Sequence, residues 1–480
     1  MNYSLSLSEK WYNRLLLLLG HSFFLAYLAG CLFFYKERLL NFDSAYYTFH
    51  LLFQEDYFIK HGRWISYLTQ FFPMMVMEQG GSLATFLQTY SASFGLWFYL
   101  LFLLVVYGFK NVTGGVFYAL AMGLTIRYKY YAAISEITFS LALGAVLIAW
   151  LTSRYRPEEG LSKLWFWGVA LLIVVFLLGT HPVIIAPLLV FFAFDVAYHK
   201  RWRDIWNWGF IVLVLGVYAY TFLQLSTSEY ESARMGVLAQ LSAVLQSPSD
   251  FHVVSVMKRY FDVDYAFPAV LLGVVTLIMF WYRRWISATV FLLGNIAWLL
   301  VNLGTYSYLD SDIFIMIDGY LALFGLIWAI PLLLFVMRSN YRTVAFLIVA
   351  SLLIFSSHRI HEKHKFFTNR LELLQQTMDD YAEKGIYKVR FNTDHFDWHQ
   401  LWYPYQVPHE TLMLSAIEGP EYAKTIYVNH LYLPEEYFEQ KEQWGFLHYD
   451  HHPAVSRLPE QYFKLPQGRY PLASIARWLE

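Results

Sequence analysis

The sequence predicts an α-helical polytopic membrane protein of about eleven transmembrane helices with a small C-terminal α+β extracytoplasmic domain. Three observations lead there. The 480-residue chain is 58% hydrophobic and only 15% charged, where a soluble protein is normally about a quarter charged. Its apolar residues are gathered into runs near the ~20 residues that a bilayer core requires. From about residue 358 onward the composition becomes that of a soluble unit. The net charge of −1 gives no field for nucleic acid, and the single cysteine, Cys31, excludes an intrachain disulfide and a cysteine metal site. The first apolar run is followed by "KERLL" and not by a small-residue cleavage site, so it reads as a retained anchor.

Taken in order, the expected helices lie at roughly 14–35, 83–108, 114–126, 134–152, 165–180, 182–198, 206–225, 266–282, 286–304, 313–337 and 342–357. Orientation follows from lysine and arginine in the short loops. "SRYRPEEGLSK", "HKRWR", "YRRW" and "RSNYR" fall on one side together with Lys10 and Arg14. That makes the N-terminus cytoplasmic and the C-terminus extracytoplasmic. The far face then collects the stretch 36–82, "RYKYY", "GTHP", the loop 226–265, "GTYSYLDSD" and the tail. Within the tail, "FFTNRLELLQQTMDDYAEKG" reads as a helix ending in a glycine stop, and "YKVRF" and "TIYVN" read as strands.

The segment "NFDSAYYTFHLLFQEDYFIKHGRWISYLTQFFP" is the first candidate for chemistry. As a helix, its start places Asp43 with Tyr47 and Tyr46 with His50 on common faces. A carboxylate at headgroup depth is partly desolvated, which suits a base or a metal ligand; it is equally an ordinary interfacial acid. Arg127 and Lys129 in "RYKYY" can clamp phosphate, with Tyr130 and its neighbours stacking on a sugar or prenyl chain, or can anchor a helix end among headgroups. Glu136 opens the next helix, where it either favours the helix dipole or faces a cavity.

His181 in "GTHP" caps a helix start or serves a site. Lys258 and Arg259 form a second possible phosphate clamp. Asp310 and Asp312 can hold a divalent metal or simply mark a wet loop, and no cofactor is otherwise implied. Ten of the sixteen histidines lie in the tail, where His395 with His399 and His448 with His452 have the spacing of one helical turn.

The opening acid in "NFDSAYY", the later acid in "ISEITFSLALGAVLIAWL", the proline-broken pair in "GTHPVIIAPLLVFF" and the soluble tail together resemble the GT-C class of membrane glycosyltransferases. "HGRWISYL" is similar to a segment of the O-antigen glucosyltransferase-like members, and the plan is also that of protein O-mannosyltransferases. The resemblance covers roughly residues 10–337 and rests more on topology than on any short motif. It implies transfer from a polyprenyl-phosphate sugar donor to a glycan, lipid or protein acceptor, at a bacterial inner membrane. By position it makes Asp43 the base and Glu136 the second acid. Arg127 and Lys129 become donor-phosphate ligands, and Arg63 belongs to the matched "GRW". The paired first-loop acids of many relatives are absent after Asp43, which leaves Glu55 and Asp56 as alternatives. A lipid-linked glycan transporter and a non-catalytic assembly protein are the competing functions.

Overall fold

The computed structural model describes residues 9–60, 62–153, 161–225, 240–307, 314–392, 404–429, 433–434, 436, 438, 445–448 and 453–473. The chain begins with α1 (Glu9–Phe33), α2 (Tyr35–Leu39), α3 (Phe42–Gln54) and α4 (Ser66–Glu78). Next come α5 (Leu83–Leu103), α6 (Val112–Gly123), the single turn α7 (Tyr128–Tyr131), α8 (Glu136–Leu151), α9 (Leu161–Leu178), α10 (Ile185–His199) and α11 (Ile205–Leu225). The short helices α12 (Leu241–Gln246) and α13 (His252–Arg259) precede α14 (Ala266–Trp281), α15 (Trp285–Thr305), α16 (Phe314–Leu321), α17 (Phe324–Pro331) and α18 (Arg342–Glu362). The tail holds α19 (His364–Ala382), β1 (Lys388–Asn392), α20 (Val407–Ser415) and β2 (Thr425–Asn429).

The apolar runs become helices because a chain in lipid must satisfy its backbone polar groups within each segment. Six helices among the described residues are long and apolar enough to cross a membrane, and a seventh arises if residues 252–281, bent by 81°, make one span. Four more of the expected segments are apolar helices of 10–17 residues, at 112–123, 136–151, 163–178 and 205–220. Length, not apolarity, separates these from the first group.

Helix α1 shows how the bundle is assembled. Its buried residues Leu16, Gly20, Phe24, Tyr27 and Cys31 recur every three or four positions, one face of a helix, and pack against α5, α6 and α18. In contrast, α6 and α8 are buried all round, and α17 lies against both. The α6–α17 crossing is close enough to require glycine: a Cβ on Gly325 would lie 2.3 Å from the Ala121 carbonyl oxygen. Outer helices turn large apolar side chains outward, as Trp281 at 86% exposed and Leu277 at 69% show. Such a surface matches lipid, not water.

The tail departs from the α+β reading. Strands β1 and β2 are parallel, with Lys388 opposite Thr425 and Asn392 opposite Asn429. Parallel neighbours need a crossover, which contains α20, and α20 packs on β2. The described part is therefore a small α/β unit, with all but the last residue of the two strands' paired core buried. Helix α18 continues past residue 358 to Glu362 and leads almost directly into α19.

Candidate functional site

The first loop does not lie loosely over the helices. Phe42, the first residue of α3, has φ of +43°, a left-handed conformation that is strained for a bulky aromatic residue. The tail holds it there. Phe42 N–H donates to Glu410 Oε1 at 2.7 Å, Arg370 pairs with Glu410 Oε2 at 2.5 Å, and the Arg370 guanidinium lies 4.9 Å from the Phe42 ring centre. Burial pushes the Glu410 carboxyl up, against the pull of Arg370 and the Phe42 N–H. From the bundle side, Ser44 Oγ accepts from Ile134 N–H at 3.2 Å. Asp43, between these two anchors, remains exposed in the first turn of α3.

One turn further, Tyr47 lies within electrostatic reach of both Asp43 and the second acid. Its hydroxyl is held well above the usual phenol range by burial, then by the nearby charges of Glu136 and Asp43, with Arg63 opposing. Arg63 Nη1 meets Glu136 Oε2 at 2.9 Å, with both side chains less than 15% exposed. Glu136 is the first residue of α8, where a carboxylate also complements the helix dipole.

The position of Arg63 follows from its neighbours. Ile65 N–H donates to the Gly179 carbonyl at 3.2 Å. Trp64 packs so closely on Gly179 that a Cβ there would lie 2.4 Å from the indole. Gln70, fully buried in α4, exchanges two hydrogen bonds with the Phe58 backbone and fixes the preceding turn. The "GRW" and "GTHP" segments thus form one contact. His181 belongs to it: its N–H donates to Ser140 Oγ at 2.9 Å, and Ser140 Oγ donates to the Glu136 carbonyl at 2.8 Å. The His181 ring meets Tyr320 edge-on.

Arg63 and Glu136 are therefore brought together, Asp43 lies close enough for its charge to act on Tyr47, and the His181 backbone reaches the Glu136 backbone through Ser140. The other sequence candidates are not so placed. Arg127 is fully buried: its Nε donates to Asp318 Oδ1 at 2.6 Å, its Nη1 contacts Asp264, and its guanidinium lies 3.5 Å from the Tyr260 ring centre. It is a core ion-pair residue, not an open cation. Asp318 also accepts the Lys129 N–H at 2.9 Å, and so fixes α7.

Lys129 stays partly exposed. Its Nζ runs past Gly319, on which the Ile137 side chain also packs, one residue from Glu136. Tyr130 is buried, donates to the Tyr27 carbonyl at 2.9 Å and lies under the Arg38 guanidinium. Lys258 and Arg259 occupy the exposed side of α13.

The alternative acids are remote from this group. Glu55 caps the far end of α3, twelve residues and about 18 Å along the helix from Asp43. Asp56 accepts the Tyr57 N–H at 2.7 Å on the surface. Asp310, Asp312, His395, His399 and His452 lie outside the described residues.

Among the described residues no three His, Cys, Asp or Glu side chains are grouped to hold a metal ion. Two of the described tail histidines, His409 and His448, instead join His50 of α3 in a buried aromatic cluster, with ring centres 4.7–6.1 Å apart. His409 Nδ1–H donates to Gln406 Oε1 at 2.9 Å, and burial, with the other two histidines, holds this imidazole well below its usual range.

Sequence reading placed Tyr47 on the face of Asp43 but not near Glu136, and it overlooked the Glu410–Arg370 clamp. The signal for Arg127 was present in Asp318, since an acid within an apolar run needs a buried partner. Compared with known proteins, the chain matches no family model, no curated protein and no solved structure.

Proposed function

We propose that this chain is a membrane glycosyltransferase on the GT-C plan, moving a sugar from a polyprenyl-phosphate donor to a glycan, lipid or protein acceptor. The observation that carries the reading is the Arg63–Glu136 ion pair, with the buried Tyr47 within electrostatic reach of both Glu136 and Asp43. In this reading Asp43 takes the proton from the acceptor hydroxyl as its oxygen attacks the anomeric carbon. The sugar–phosphate bond breaks, and its electron pair leaves with the phosphate. Tyr47 keeps its proton near both carboxylates. Arg63 orients Glu136, whereas Asp43 stays exposed, so the two acids are not equivalent.

Positive charge for the leaving phosphate falls to Lys129, because Arg127 is already engaged by two carboxylates. Lys258 and Arg259 are the further cations available to donor or headgroup. With eleven spans the N-terminus is cytoplasmic and the site extracytoplasmic, at a bacterial inner membrane. The grouping of residues from the N-terminal, 199–201 and 338–342 segments round one cavity agrees with their sharing a face.

Purified full-length protein carrying Asp43→Asn tests the reading. Transfer should fall by roughly 10²–10⁴-fold while the polyprenyl-phosphate donor binds as before, because a base acts in the transition state. Glu55→Gln should leave transfer near the wild-type rate. A fully active Asp43→Asn enzyme sinks the assignment.

A further inference from the structure

Far from Asp43, several helix ends surround a cavity of about 490 Å³. The starts of α1, α6 and α18 and the ends of α8 and α10 all contribute to its wall. Its charged lining is Arg201, Arg338, Arg342, Glu9, Asp195 and His199, three guanidiniums against two carboxylates. The inner carboxylate is already neutralised. Asp195, 6% exposed, is paired with Arg201 at 2.8 Å and faces His199 at 3.7 Å.

Arg338 and Arg342 flank the remaining space. Arg338 Nη2 donates to the Thr152 carbonyl at 3.0 Å, and Arg342 Nη2 lies 3.5 Å from the largely exposed Glu9 carboxylate. Two helix N-termini open at the same place. Asn111 caps α6 through the Gly114 N–H, and α18 begins at Arg342 itself. Each adds partial positive charge on top of the arginines.

We propose that this cavity binds a phosphate group, with Arg338 and Arg342 as its principal donors. A guanidinium presents a planar fork of N–H groups that fits phosphate oxygens, and Arg338 and Arg342 both line this cavity. The cavity lies at the ends of apolar helices, which is the depth of lipid headgroups. Its volume accommodates a headgroup phosphate with its esterified substituent. The same chemistry is met by an anionic phospholipid or by a soluble phosphate ion. The proposal is independent of the glycosyltransferase reading, since none of its residues belongs to the Asp43 group.

The test uses the full chain in nanodiscs at fixed ionic strength. One arm compares phosphatidylcholine discs with discs containing graded phosphatidylglycerol, reading lipid retention by native mass spectrometry and unfolding by tryptophan fluorescence. The other arm titrates inorganic phosphate, against chloride, into phosphatidylcholine discs. Arg338→Gln/Arg342→Gln should weaken saturable binding by about tenfold or more. Arg338→Lys/Arg342→Lys, which keeps the charge and is the variant to use if the first does not fold, should still bind several-fold more weakly than wild type because it loses the forks. Saturable retention of phosphatidylglycerol identifies a lipid headgroup as the source, and a saturable phosphate shift identifies the free ion. Equal binding by wild type and the folded variants in both arms overturns the proposal.

Discussion

At the end of the bundle that carries the tail, Arg127 sits fully buried between Asp264 and Asp318, partners 137 and 191 residues distant in sequence. At the opposite end Arg342 faces Glu9 across 3.5 Å, with the glutamate 57% exposed. The cavities at the two ends differ in the same way. A cavity of about 620 Å³ between α2 and the tail is lined by Glu37, Glu372, Asp379 and Glu418 against Lys36 and Lys424. The other is lined by three arginines against two acids. The difference teaches where this chain uses charge to fix its structure. Buried ion pairs between distant segments specify one end, whereas short-loop charges, partly hydrated, decorate the other.

The largest effect that follows is at Asp318. Asp318→Asn keeps the shape of the side chain but leaves Arg127 inside the bundle without one of its two counter-charges. A loss of about 3–5 kcal/mol is expected, the cost of breaking a buried pair from one side. Reversible unfolding in a fixed detergent measures it, and a loss below 1 kcal/mol would break the contrast between the ends. Gly179→Ala comes next. The added methyl meets the Trp64 indole, and overpacking of this kind costs about 1–3 kcal/mol. It should also displace Arg63 from Glu136, so that transfer falls more than stability does. Equal activity of the alanine variant would separate the "GRW" contact from the site.

The effect of pH sharpens the comparison, since a buried histidine of the tail responds to it. The folded protein holds His409 well below the ordinary histidine range. Its stabilising contribution is therefore complete above pH 6.5 and declines as pH falls from there towards the folded value. One such proton changes the slope by up to about 1.4 kcal/mol per pH unit. Glu410, whose carboxyl burial raises, acts in the opposite sense. The profile of His409→Asn, subtracted from wild type between pH 7.5 and 5, isolates the histidine. Protection factors for hydrogen exchange, corrected for the intrinsic pH dependence, should fall on acidification more in α3 and α20 than in α8, and a uniform fall would count against the local origin. The smallest effect belongs to Glu9→Gln, which removes an exposed ion pair and should cost less than about 1 kcal/mol in the same unfolding measurement.

All eleven apolar runs are helical because their apolarity is local and continuous. The "FDSAYYTFHLLFQ" helix and the two tail strands were legible for the same reason. What escaped depends on pairing at a distance. Arg127 and Lys129 look alike as two cations beside a helix end, and only Asp264 and Asp318 distinguish them. The parallel pairing of β1 with β2 hangs on a crossover that neither strand reveals. Asp43 and Glu136 were legible as acids at helix starts, and Tyr47 as sharing a face with Asp43, but its nearness to Arg63 and Glu136 depends on two other segments.

The hydrogen bond from Phe42 N–H to Glu410 spans 368 residues, and it imposes an order on biogenesis. At a synthesis rate of 5–20 residues per second, roughly 20–70 s separate the emergence of these two partners from the ribosome. Throughout that interval α3 lacks the acceptor that holds its strained first residue. A nascent chain therefore carries α3 without its tail anchor until Glu410 has arrived. The start of α3 is among the first segments made and is fastened by one of the last.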